Sequence, residues 1–347
     1  MIFRLSVRIY AVRGTRLAKV PDAPTAPSAF LLHSSAAVEV IVGIDFGAPR
    51  RARDQRRKII AIAAEATDWR RYRIAATGMN ARLLARDPPG WSAQELLDAL
   101  LARAARVVAI DFPFSLPFAL LSDPEFARAA GHAGGAFSNW RTFAGFVAQQ
   151  LPLTDPLDFS PFDAWRDPAK RNRLWTKRAT DVAARAQPPL KDKFQATFQM
   201  TLLGNALISK LWESKKYRVL PFPGGSGAGE IIEAYPGATL RQRGLANYKS
   251  QPDKAVRLGI DACAAAGIEL DVDHKLLAAC CHYNSGGKIP DHDAADAFVA
   301  LSTAILHAEG ECRPAIADDA PLWLKEREGA IWVPRIATGE SPGKLRR

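Results

Sequence analysis

The chain has 347 residues, of which 48% are hydrophobic and 24% charged. This is the composition of a soluble globular protein with ample material for a core, enough for one large domain or two small ones. No apolar run reaches the roughly 18 to 20 residues that span a bilayer. The four cysteines have no metal-ligand spacing, so they read as reduced thiols of a cytoplasmic protein.

The net charge of +11 resembles a nucleic-acid signal, but it is concentrated at the ends. Residues 1–20 carry five basic groups and no acid, and residues 336–347 add a net two. About +4 is left for the body, a weak electrostatic argument by itself. Residues 1–38 are rich in arginine, alanine, serine and proline without a clear period, and read as a flexible N-terminal extension.

Residues 39–47 (EVIVGIDFG) are β-branched and end at glycine, the pattern of a buried strand. An arginine-rich turn follows at 48–57, then strands at 58–66 and 72–77 joined as a hairpin. Ser92 and Glu95 form a capping box ahead of a helix at 93–105 with leucines at 96, 97, 100 and 101. Residues 106–112 return as a strand that Pro113 and Pro117 terminate.

The order is β-β-β-α-β. A strand that follows a crossover helix lies parallel to a neighbour, so the ends of the first and fourth strands fall at one sheet edge. Residues 118–215 break the rhythm with prolines and a mixed aromatic and basic stretch, and read as a helical insertion or lid. A strand at 230–235, halted by Pro236, precedes helices at 253–266, 273–282 and 291–308, with a glycine turn NSGGK before the last. The main domain is assigned to 39–310 and a C-terminal extension to 311–347.

Acids fall at the ends of these elements. Asp45 ends the first strand in VGIDFG, and Asp111 ends the fourth in VVAIDFPFSLP. Asp293 and Asp296 in PDHDAADAF are three apart at a helix start and share one face. Asp291 suits an N-cap and His292 a surface position. Glu233 alternates with Ile231 and Ile232 in its strand. Carboxylates gathered from two strand ends and a helix suit a divalent metal, and metal so held suits phosphoryl chemistry.

VGIDFG, AIDFPFSLP, EAYPGATLR with the nearby YK, and DHDAADAFVAL resemble, in this order over residues 39–310, the domain-of-unknown-function family 429. The resemblance implies a nuclease of ribonuclease H-like fold: an α/β protein with a mixed sheet flanked by helices. By analogy it also implies a two-metal mechanism. Asp45, Asp111, Asp293 and Asp296 would then hold Mg²⁺ or Mn²⁺, with Glu233 as a further catalytic acid.

The nucleic-acid substrate, DNA or RNA, would meet Arg50 and Arg51 of the RRARDQRRK turn, Lys249 of the YK pair, and Arg178 of the aromatic and basic stretch. That stretch also reads as a helix with tryptophans inward and arginines outward, the reading its pattern favours. Two other classes fit part of the pattern. An actin-like phosphotransferase also opens on a GIDFG-like turn but usually duplicates its domain, and a non-catalytic nucleic-acid binder would not need the clustered acids.

Overall fold

The computed structural model describes residues 38–85, 89–193, 197–282, 292–316 and 319–335. The expected N-terminal extension up to residue 37, the Asp291 cap, the NSGGK turn and residues 336–347 lie outside them.

The chain opens with β1 (Val40–Phe46), a short helix α1 (Ala52–Gln55), β2 (Ile59–Asp68) and β3 (Arg71–Ile74). β1, β2 and β3 pair antiparallel. Helix α2 (Ala93–Ala102) crosses over to β4 (Val107–Asp111), which lies parallel to β1. The Ser92 hydroxyl accepts from the Glu95 amide at 3.3 Å, and the Glu95 carboxylate accepts from the Ser92 amide at 2.9 Å, closing the expected capping box.

Six α-helices follow among the described residues: α3 (Phe118–Leu121), α4 (Pro124–Ala129), α5 (Trp140–Gln150), α6 (Arg171–Leu174), α7 (Ala179–Ala183) and α8 (Phe198–Glu213). Strand β5 (Tyr217–Val219) leads to β6 (Gly229–Ala234), which pairs parallel with β4. Then come α9 (Pro236–Gln242), α10 (Pro252–Ala265), β7 (Glu269–Val272), α11 (His274–His282) and α12 (Asp293–Ala308). Last are β8 (Cys312–Pro314), α13 (Leu322–Glu328) and β9 (Ile331–Pro334).

Among the described residues these strands form one mixed sheet in the order β7-β3-β2-β1-β4-β6-β9-β8, with β5 beside β6. Alternation along the strands divides the core into two layers. Val42, Ile44 and Phe46 of β1, with Val108 and Ile110 of β4, face a core shared with α2, α5 and α8. Ile41 of β1, with Val107 and Ala109 of β4, faces a second core built from α10, α11 and α12. Helix α12 is buried from Asp293 to Leu306, as a helix lying flat in a core must be apolar nearly all round.

Two expectations change. Residues 118–215 are not a lid: Phe126, Phe143, Trp165, Leu203 and Leu207 belong to the same apolar cluster as β1 and β4. Their helices are the covering layer of one sheet face, which needs such a layer because β4 is flanked by parallel partners. The stretch from 311 onward is not a simple extension either. β9 pairs with β6 and β8 with β9, which carries the sheet two strands beyond β6. Both strands are too short for a period to register in the sequence.

Candidate metal centre

Asp45 and Asp111 are register partners on the parallel strands β1 and β4. Both occupy the alternating positions that face the α12 layer. Gly43, two residues before Asp45, lets that layer come close: a Cβ there would stand 2.0 Å from Leu301 N and 2.6 Å from Ala297 O. The absence of a side chain at 43 thus sets α12 directly on β1, and the first turn of α12 carries Asp296 to the strand ends.

Carboxylate oxygens of Asp45, Asp111 and Asp296 lie within 4.8 Å of one another. Asp45 is 9% exposed and Asp296 3%. Three hard oxygen donors at this spacing fit one divalent cation, whose oxygen ligands sit at about 2.0–2.6 Å. The donor set suits Mg²⁺ or Mn²⁺, with neither thiolate nor imidazole among the three.

Burial pushes the Asp111 carboxyl up to about 7; Lys249 acts against this, and Glu233 and Asp293 add to it. Burial, then Asp296 and Asp111, push the Tyr248 phenol far above its ordinary value. Tyr248 therefore stays a neutral donor beside the acids. Its ring meets His292 edge-on, with centroids 6.3 Å apart.

Asp293 is near the trio but not of it. Its Oδ2 accepts from Lys58 Nζ at 2.8 Å. His292 lines the cleft, with Nε2 3.6 Å from Asp296 Oδ2 and 3.9 Å from Asp293 Oδ1.

Glu233 departs from expectation. In the β4–β6 register it is the partner of Ile110, not Asp111, so alternation turns it to the opposite sheet face. There Arg178 donates to both its oxygens, Nη1 to Oε2 at 2.7 Å and Nη2 to Oε1 at 2.5 Å. The Phe114 amide donates to Oε2 at 3.0 Å. Burial pushes the Glu233 carboxyl up, while Arg178 and the Phe114 amide act against this.

Arg178 also departs. It is 0% exposed, donates to Asp181 through Nε at 3.0 Å and Nη2 at 2.6 Å, and reaches the Glu328 carbonyl at 3.2 Å. Arg178 and Glu233 both line the cleft, but the guanidinium is taken up by the Asp181 and Glu233 carboxylates and ties α7, β6 and α13 together. Burial opposes its charge, but Asp181 and Glu233 prevail and hold it above the ordinary arginine value. Trp165 of the same sequence stretch is buried against Phe126, with stacked rings 4.4 Å apart.

The acids open into a cleft of about 770 Å³. Lys249 and Arg178 line it, as expected, while Arg50 and Arg51 are exposed residues outside its lining. Three lining cations escaped the sequence reading: Lys58, Arg185 and Arg241. In the sequence Lys58 is the last cation of the RRARDQRRK run, and its place at the foot of β2 sets it beside the end of β1: the Gly47 amide donates to its carbonyl at 2.6 Å. Arg241 stands inside the EAYPGATLR motif, and Arg185 follows a helix too short to show in the sequence.

The fold and site define a mixed α/β protein with an acidic, metal-suited cluster at the strand ends of its central sheet. Residues 43–320 match the family described as "Protein of unknown function (DUF429)", and the chain belongs to that family. Comparison with curated proteins and with solved structures gave no significant match. Among the described residues no helix is long and apolar enough to cross a membrane.

Proposed function

We propose that this protein is a metal-dependent phosphodiesterase of ribonuclease H-like fold that hydrolyses DNA or RNA. The observation that carries the reading is the convergence of Asp45, Asp111 and Asp296 within 4.8 Å at the mouth of a cleft with a basic wall. Support for the fold comes from the strand order β3-β2-β1-β4-β6, antiparallel and then parallel, with the acids at the carboxyl ends of β1 and β4.

The trio would hold Mg²⁺ or Mn²⁺, which supplies an activated water and neutralises charge on a phosphoryl oxygen. A second ion would draw on Asp293, now paired with Lys58. Lys249 and Lys58 sit on the same cleft and are suited to offset phosphate charge. Tyr248, kept neutral, offers a hydroxyl donor rather than a base.

The test is cleavage of labelled single-stranded, duplex, hybrid and branched substrates in Mn²⁺, with Asp45→Asn as control. Metal-dependent products lost in the variant support the reading. Metal binding without any cleavage, together with ATP hydrolysis, would replace it with a phosphotransferase.

A further inference from the structure

Arg185 is one of three non-glycine residues with positive φ among those described, at +52°. It is the residue after the C-cap of α7. The Ala186 amide donates to the Asp181 carbonyl at 2.8 Å and the Arg185 amide to the Val182 carbonyl at 3.2 Å, a paired closure of the helix end. Glycine is the ordinary occupant of that position, because any side chain there strains the backbone.

The other two exceptions differ from it. Arg70, also at +52°, is bound in place, donating to the Ala266 carbonyl at 2.6 Å and to Glu311 at 3.0 Å. Lys215 closes the turn after α8, away from the cleft lining. Arg185 instead is exposed and lines the cleft that holds the three acids.

The backbone under Arg185 is braced from two sides. Arg241 Nη2 donates to the Ala184 carbonyl at 2.7 Å and reaches the Arg185 carbonyl at 3.5 Å. From beneath, Arg178 at the N-cap of α7 anchors the helix to Glu233 of β6, with Nη2 2.5 Å from Oε1. A rigid bracket thus holds a long cation at the cleft rim in a conformation that local energetics disfavour. Strain of this kind persists where surrounding structure over-determines it, and it gathers at ligand clamps.

We infer that Arg185, positioned by Arg241, is a substrate-recognition residue that grips a phosphate group flanking the one held at the acids. The inference rests on the proposed phosphodiester chemistry and narrows it: the substrate carries a second phosphate within reach of the rim. That phosphate is either terminal or part of a continuing strand.

The probes are thymidine dinucleotides with and without a 5′-phosphate, a longer single-stranded thymidine oligonucleotide, and inorganic phosphate. Each is titrated into the full chain in Ca²⁺, a cation chosen to hold substrate without turnover. The variants are Arg185→Gly, which keeps the backbone conformation, and Arg185→Lys, which keeps the charge. Expected in Arg185→Gly is at least tenfold weaker binding of the phosphate-bearing probe, unchanged Ca²⁺ affinity and an unchanged or higher melting temperature. Arg185→Lys should recover part of the binding.

Loss confined to the 5′-phosphorylated dinucleotide identifies a terminal phosphate; loss on the longer oligonucleotide identifies a strand phosphate. Equal affinity of wild type and Arg185→Gly for every probe overturns the inference and leaves the proposed activity untouched. Arg185-dependent binding of inorganic phosphate without nucleotide binding keeps the phosphate contact and removes the nuclease reading. A wild-type protein that binds none of the probes overturns the inference.

Discussion

Gly43 of β1 lies against the backbone of Leu301 on α12, so close that a Cβ at position 43 would stand 2.0 Å from the Leu301 amide nitrogen. A backbone atom cannot swing aside as a side-chain tip can. Gly43→Ala must therefore push α12 off the sheet and Asp296 away from Asp45. The expected cost is about 3 kcal/mol or more, at the upper end of overpacking. Divalent-ion affinity should fall with it. Gly145→Ala is the control: it lies in α5 with nothing within 4 Å of the new Cβ, and should be neutral or stabilising by about 0.5–1 kcal/mol. Thermal or urea unfolding of the two variants decides; equal stabilities would refute the close-packing account.

Glu233 should behave as a structural acid. Glu233→Gln leaves Arg178 buried with an incomplete counter-charge, and breaking a buried pair costs roughly 3–5 kcal/mol when one partner is removed. Asp181 still pairs with the guanidinium at 2.6 Å, so a loss of about 2–3 kcal/mol is expected. Mn²⁺ affinity should change less than threefold, since the Asp45, Asp111 and Asp296 set is intact. A stable variant that no longer binds metal would return Glu233 to the ligand set.

The contrast between Glu233 and Asp111 explains what the sequence could and could not reveal. Each acid sits in a short apolar run, so residue type and local pattern single out both. Which face each takes depends on the pairing of β4 with β6, and a one-residue change in register exchanges the faces. No local signal carries that register. Asp45 and Asp111 were legible because a crossover helix between two β-branched runs requires parallel neighbours. Asp296 was legible because an acid leads a helix that is apolar nearly all round. Arg178 does line the cleft, but its pairing was not legible, because a cation beside tryptophans looks the same whether it faces solvent or a buried carboxylate. β5, β7, β8 and β9 have three or four residues each. They are strands because neighbours pair with them, and their own sequences do not announce it.

Metal affinity should depend on pH through Asp111. Its carboxyl is raised from 3.8 to about 7, chiefly by burial. Between those values the unfolded chain has released the proton and the folded chain keeps it. This group therefore costs the metal-free protein stability as pH rises through that window, and the stability it spares is fully present only below 3.8. A metal ion needs the ionised carboxylate, so below pH 7 binding releases a proton. Mn²⁺ affinity should climb up to about tenfold per pH unit below 7 and level off above it. Calorimetric titration at several pH values, in two buffers of different ionisation enthalpy, reads both affinity and proton release. A flat profile would place Asp111 outside the binding set.

Asp45→Asn and Asp296→Asn should separate stability from metal binding. Each removes a charge from a buried cluster of like sign, which relieves repulsion when no cation is present. The variants should melt at or above the wild-type temperature in chelator, yet lose the wild-type gain in melting temperature when Mn²⁺ is added. Differential scanning calorimetry with and without Mn²⁺ supplies the four melting temperatures per variant pair. A variant that still gains as much as wild type on adding Mn²⁺ would exclude that residue as a ligand.

Away from the cleft, Glu95 joins the capping of α2 to the loop after β1. It accepts from the Ser92 amide, from Arg56 at 2.9 and 2.7 Å, and pairs with Arg82 at 3.1 Å. The Arg56 side chain first, with the Ser92 amide and Arg82 assisting, holds its carboxyl down at about 2, against an ordinary 4.5. For an acid with a depressed value the stabilisation is fully present above 4.5 and is lost as pH falls from there toward 2. Glu95 is 28% exposed along its side chain, so solvent screens part of this. Glu95→Gln should cost about 1–2 kcal/mol at pH 7, the range of a lost cap plus a charged hydrogen bond. The gap between wild type and variant should narrow by pH 3, because the wild-type carboxylate is by then losing its advantage over the unfolded chain. Urea unfolding at the two pH values checks it; a gap that stays constant would mean the carboxylate's charge contributes nothing and the hydrogen-bonded shape of the side chain alone matters.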